Sequence, residues 1–168
     1  MDRAETWVDG IPACLGICPA RDGIIAICAP EIIFLADRDG DGKAEVKETL
    51  FTGFKVSVIE RRINQPLWGP DNWIYVDGGL GGRITGPNLP EPLNLPGTGF
   101  RIKPDGSAIE PVSGHTSTYG FTFTDDGDRF VISTGTPAIQ VAPLPWRYLS
   151  RNADIAVRAS RRNAANYN

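Results

Sequence analysis

The chain has no run approaching the roughly 20 apolar residues that a membrane-spanning helix needs, so no membrane span is expected in it. It carries one histidine and three cysteines without C-x-x-C, C-x-x-C-H or H-E-x-x-H spacing. That removes the common zinc, thioredoxin-like and haem-attachment readings. G-x-S-x-G is also missing, so a hydrolase has no positive support. A net charge of only -3 gives no electrostatic reason to expect nucleic acid or an anionic membrane as partner. The opening residues MDRAETWVDG lack the basic and apolar stretches of an export signal, and none is expected there.

What the chain has in quantity is glycine and proline, 19 and 14 in 168 residues. Together they predict many turns and short strands within one domain. The cysteines, Cys14, Cys18 and Cys28, read as small buried hydrophobes. Cys18 and Cys28 flank an expected hairpin, which leaves a bridge between them geometrically open.

Three stretches share one plan: LGICPARDGIIAICAP, PLWGPDNWIYVDGG and GFTFTDDGDRFVISTG. Each is a short apolar strand, a tight Asp-centred turn and a second apolar strand. The turn residues Asp22, Asp71 and Asp126 stand 49 and 55 residues apart. A second hairpin lies within each of the first two units, EIIFLA with AEVKETLF and then GFRIKPDGSAIEPV, whose Pro104-Asp105-Gly106 suits a tight turn. Four antiparallel strands at this period predict an all-β fold, a β-propeller of four-stranded blades. About three blades are present, at about residues 7–54, 63–113 and 118–149, the last incomplete. Residues 1–152 then form a partial propeller, and 153–168 a polar, basic, irregular or helical tail. Gly78 to Gly99, rich in Gly, Pro and Asn and without periodicity, reads as a long insertion loop.

The most specific motif is Asp37 to Glu48, DRDGDGKAEVKE, which matches the calcium-loop pattern D-x-D-x-D-G-x5-E. Oxygen ligands at this spacing suit a hard cation. The flanks EIIFLA and VKETLF are β-branched and lack a 3.6-residue repeat, so the loop should join two strands and not two helices. On an extended strand Glu48 lies about 10 Å beyond Glu45. The expected ligand set is therefore Asp37, Asp39, Asp41, the Lys43 carbonyl and Glu45. The alternative is a metal-free Asp/Gly turn.

At WGPDNWIYVDGG, FRIKPDGSAIEPVSG and YGFTFTDDGDRFVISTG, preceded by DRDGDGKAEVKETLFTGF, the chain resembles a membrane-bound dehydrogenase domain of the Pirellula and Verrucomicrobium type. That family is related to quinoprotein glucose and sorbosone dehydrogenase-like propellers. The resemblance covers about Trp7 to Asn152 and implies a six-bladed propeller, periplasmic or extracellular, often joined to a cytochrome c module. The chain departs from it in having no signal, no C-x-x-C-H and about half the blades, which implies a partial copy whose missing blades lie elsewhere.

The resemblance implies a quinone-linked dehydrogenase that oxidises a sugar or related alcohol with pyrroloquinoline quinone. On propeller geometry His115 points toward the mouth, where a neutral imidazole suits a general base. Arg62 and Asn64, in the equivalent loop one unit earlier, and Asp77 and Arg83 beside them are candidates for holding substrate or cofactor. The alternatives are a non-catalytic calcium-stabilised propeller binding glycans or proteins, and a truncated product without activity of its own.

Overall fold

The apolar runs of this chain are short, β-branched and punctuated by Asp-Gly, Pro-Asp and Asn turns, and in a computed structural model they become strands. The structure describes residues 4–112, 118–133, 135–142, 148 and 151, and the backbone of 161–165. Strands β1 (Ile17–Ala20), β2 (Gly23–Cys28), β3 (Glu31–Ala36) and β4 (Val46–Phe54) form a meander. A 3-10 turn, η1 (Ile59–Arg61), leads into β5 (Ile63–Trp68) and β6 (Ile74–Gly78). Next come β7 (Gly82–Thr85), β8 (Leu93–Leu95), β9 (Phe100–Ile102) and β10 (Ile109–Pro111). The last strands are β11 (Thr118–Phe123), β12 (Arg129–Ser133), β13 (Thr136–Val141) and β14 (Arg161–Ala165).

These strands make three antiparallel sheets: β1-β2-β3-β4-β7-β8, β10-β9-β6-β5 and β11-β12-β13-β14. The three Asp-centred hairpins are the pairs β1/β2, β5/β6 and β11/β12. At their turns Arg21 (φ 54°), Asn72 (φ 59°) and Gly127 (φ 87°) take left-handed backbone.

This architecture overturns the β-propeller. A propeller needs equivalent sheets set around a closed ring, whereas here the first sheet has six strands, the others four, and none of them closes. A repeat of hairpins dictates only pairing between neighbouring strands. The angle between sheets depends on the side chains between them. The stretch expected as an irregular insertion also contributes β7 and β8, which extend the first sheet beyond β4. Two glycines permit this: at Gly53 (φ 99°) a Cβ would run into the Arg83 carbonyl, and at Gly82 (φ 156°) into the Gly53 carbonyl. Ile84 and Leu95 then point inward and are buried. The expected irregular or helical tail is replaced at 161–165 by β14, paired with β13.

The core is layered. Both faces of β2 and β3 are covered, which is why GIIAIC and EIIFLA read as unbroken apolar runs and not as an alternation. On one face Ile25, Ile27, Phe34 and Phe51 meet Ile74, Val76 and Phe100 of the second sheet. There the Phe54 and Phe100 rings stack with centroids 5.2 Å apart. On the other face Ala26, Cys28, Ile33 and Leu35 lie beneath Trp7, Val8 and Ile11 of the N-terminal segment. A third cluster joins Phe121, Val131, Ile139 and Val141 to Leu67 and Tyr75 across the second and third sheets.

Candidate functional site

The acidic stretch is the connection from β3 to β4, closed by its own carboxylates. The two oxygens of Asp37 accept the Gly40 N–H at 2.7 Å and the Gly42 N–H at 2.9 Å. Asp39 accepts the Asp41 N–H at 3.1 Å, and Asp41 accepts the Lys43 N–H at 2.8 Å. Glu45 reaches back to the Arg38 N–H at 2.8 Å. Gly40 (φ 78°) and Gly42 (φ 88°) supply left-handed turns that side-chain-bearing residues adopt poorly.

This winding brings one ligand oxygen each of Asp37, Asp39 and Glu45 within 4.8 Å of one another. Two oxygens on one ion are at most twice the metal–oxygen distance apart, about 4.6–5.2 Å for calcium at 2.3–2.6 Å. The three carboxylates therefore fit around a single hard cation. Asp37 is half-buried, Asp39 and Glu45 are exposed, and waters have access to complete the shell. Asp41 lies outside this trio, its carboxylate turned to the Lys43 amide. Glu48 is on β4 and pairs with Arg21 at 3.0 Å. Arg38 pairs with Asp22 at 3.0 Å, tying the acidic loop to the β1–β2 turn. That pairing holds the Asp22 carboxyl below its usual range.

The other sequence candidates are spread around the end of the β5–β6 hairpin. The Arg62 guanidinium donates to the Ser57 carbonyl at 2.9 Å. The Asn64 amide donates to the carbonyls of Arg62 at 3.1 Å and Thr118 at 3.2 Å. Asn64 and Asp77 sit directly opposite each other in the β5/β6 register. Asn64 also lines a cleft of about 400 Å³ with Leu15, Ile17, Ile59 and Tyr119. Arg83 is elsewhere, exposed on β7 opposite Asn94 of the first sheet. His115 lies outside the described residues.

Asp77 is fully buried, with Arg129 Nη1 3.9 Å from its carboxylate. Burial pushes the Asp77 carboxyl up to about 6. Arg129 opposes that rise, and the Gly78 amide adds a weaker pull the same way without a well-formed hydrogen bond. Both Asp77 oxygens, both terminal Arg129 nitrogens and the Thr118 hydroxyl are buried without a hydrogen-bond partner among the described residues. Sequence reasoning passed over Arg129. Its signal was a charge at an inward position of RFVIS, whose alternation buries Arg129, Val131 and Ser133.

The sequence model of a domain of unknown function, DUF7133, matches residues 1–168. The chain belongs to the DUF7133 family. No curated protein and no solved structure matches it. Membership of DUF7133, together with the open sheets, overturns the resemblance to quinoprotein glucose and sorbosone dehydrogenases. The quinone-linked oxidation of a sugar or alcohol, pyrroloquinoline quinone, the missing blades and the cytochrome c module were all implied by that resemblance to a family built as a ring of blades. Without that ring they have no support, and the same holds for the glycan- or protein-binding propeller and the truncated-propeller reading. Among the described residues no helix is long and apolar enough to cross a membrane.

Proposed function

We propose that this chain is a calcium-binding β-sheet domain whose β3–β4 connection takes up the ion through Asp37, Asp39 and Glu45. The observation that carries this reading is the convergence of three carboxylate oxygens within 4.8 Å on a loop of nine residues between strands. Calcium accepts six to eight oxygens in loose geometry, which suits a short irregular loop open to water. Magnesium demands a near-ideal octahedron at about 2.0–2.1 Å. Asp41 and the Lys43 carbonyl complete the set if the Asp41 carboxylate leaves the Lys43 amide.

The ion neutralises carboxylates held close together and fixes the start of β4. It also bears on the N-terminal segment, because the Ala44 N–H, one residue before Glu45, donates to the Trp7 carbonyl at 2.8 Å. Trp7 covers the outer face of the first sheet, so binding at the loop stabilises that cover. A ligand that binds only the folded state at 100 times its Kd stabilises by about 2.7 kcal/mol. For a chain of this size that corresponds to a melting temperature about 5–10 °C higher. Thermal melts in excess calcium and in excess chelator test the proposal: a shift of that order supports it, and superimposable melts reject it.

A further inference from the structure

We propose that Cys14 and Cys28 are a redox-active pair that closes to an intramolecular disulfide by exchange with a low-molecular-weight disulfide. The register of the N-terminal segment against β2 brings them together. The Leu15 N–H donates to the Ile27 carbonyl at 2.8 Å, and the Ile27 N–H donates to the Gly16 carbonyl at 2.9 Å. Leu15 and Gly16 thus both oppose Ile27, a one-residue bulge. Beyond the bulge Cys14 and Cys28 face each other without hydrogen bonds between their backbones. Facing residues of that kind approach to about 4.5 Å between Cα atoms, at the short end of the 4.4–6.8 Å range seen for disulfides. The Cys14 thiol donates to the Gly16 carbonyl at 3.2 Å, and its sulfur is near enough to act on the Cys28 thiol.

Their environments divide the chemistry. Cys14 is exposed, while Cys28 is fully buried under the N-terminal segment. Burial chiefly, and the neighbouring Cys14 sulfur after it, push the Cys28 thiol up to about 12. Glu31 adds to the rise and Lys47 opposes it. Cys14 is therefore the sulfur that meets an external disulfide, and Cys28 the one that resolves. The Cys14 thiolate attacks one sulfur of the reagent RSSR and expels RS⁻, leaving a mixed disulfide. Cys28 then loses its proton and attacks the Cys14 sulfur, expelling the second RS⁻. The protein gives up two protons and two electrons, and the reagent's S–S bond is reduced to two thiols.

Cys18 is no party to this. It packs in the cluster between the first and second sheets, on the face of the first sheet opposite Cys28. The Cys18–Cys28 bridge that the sequence left open is therefore blocked by the sheet itself. Cys14, in turn, is not the buried hydrophobe expected of it.

The test uses the full chain, reduced and then incubated with glutathione disulfide, with peptides mapped by mass spectrometry without reduction. The expected product is a Cys14–Cys28 linked peptide with two hydrogens lost and Cys18 still a free thiol. Cys28→Ala should instead stop at glutathione on Cys14, and Cys14→Ser should leave Cys28 unmodified while the chain is folded. Glutathione retained on Cys14 of the wild type with Cys28 free, or a bridge involving Cys18, overturns the proposal. The wild-type map decides the matter even if Cys28→Ala fails to fold.

Discussion

The Asp77 carboxylate on β6 and the Arg129 guanidinium on β12 lie 3.9 Å apart, and they join the second sheet to the third; among the described residues the Asp77 oxygens and the terminal Arg129 nitrogens have no hydrogen-bond partner. Gly99 lies against the pair, where a Cβ would run into the Asp77 carboxylate. Removing one partner of a buried ion pair leaves an uncompensated charge and costs about 3–5 kcal/mol. Arg129→Met should therefore be strongly destabilising at pH 7. The loss should be smaller at pH 5, where Asp77 takes a proton and sheds its charge. Urea unfolding at the two pH values checks this, and an equal loss at both contradicts it.

The same pair sets a pH dependence in the wild type. The folded-state value of Asp77, about 6, lies above its ordinary value of 3.8, so the folded chain holds this proton more tightly than the unfolded one. Its contribution is therefore greatest at low pH and is lost as pH rises from about 4 to about 6, by on the order of 2 kcal/mol. Stability curves of wild type and Asp77→Asn across that window should differ in slope with this sign, and parallel curves would rule the effect out.

Gly53 and Gly82 let β7 approach β4. Gly53→Ala forces a Cβ into the Arg83 carbonyl at a left-handed backbone, and should cost about 1–3 kcal/mol as overpacking. Hydrogen exchange should show the amides of β7 and β8 losing protection while those of β2 and β3 keep theirs. Unchanged protection at Ile84 would mean that β7 does not depend on this contact.

Phe34 is fully buried and Trp68 is half-exposed, although both are large aromatics in strands. Phe34→Ala should cost about 3–5 kcal/mol. Trp68→Ala removes some packing and one hydrogen bond, from its indole N–H to the Pro19 carbonyl at 2.9 Å, and should cost about 1 kcal/mol. Chemical denaturation of the two variants would expose a reversed order.

The hairpins were legible because their turns carry their own chemistry: Asp and Gly at Asp22-Gly23, Pro104-Asp105-Gly106 and Asp126-Gly127 permit few other conformations. Strands β7 and β8 were not, because GRIT, set among glycines, and LNL, set between Pro92 and Pro96, are too short to show an alternation. Their strand character comes from β4, a partner distant in sequence. Ring closure was beyond the period of the repeat, since the angle between sheets is decided by contacts such as Phe54 on Phe100 and Tyr75 on Phe123. Of the acidic loop, the residue types and spacing were readable. Which carboxylates converge depends on the left-handed turns at Gly40 and Gly42, which direct Asp37 inward and leave Asp41 out.

The central claim is tested most directly by calorimetric titration of calcium into the wild type, Asp39→Ala, Glu45→Ala and Glu48→Ala. The account predicts one saturable site in the wild type, its loss in the first two variants, and an affinity within about twofold of wild type in Glu48→Ala, whose carboxylate serves Arg21 on an exposed pair. No binding heat in the wild type, or a site lost with Glu48 and kept with Glu45, would contradict it.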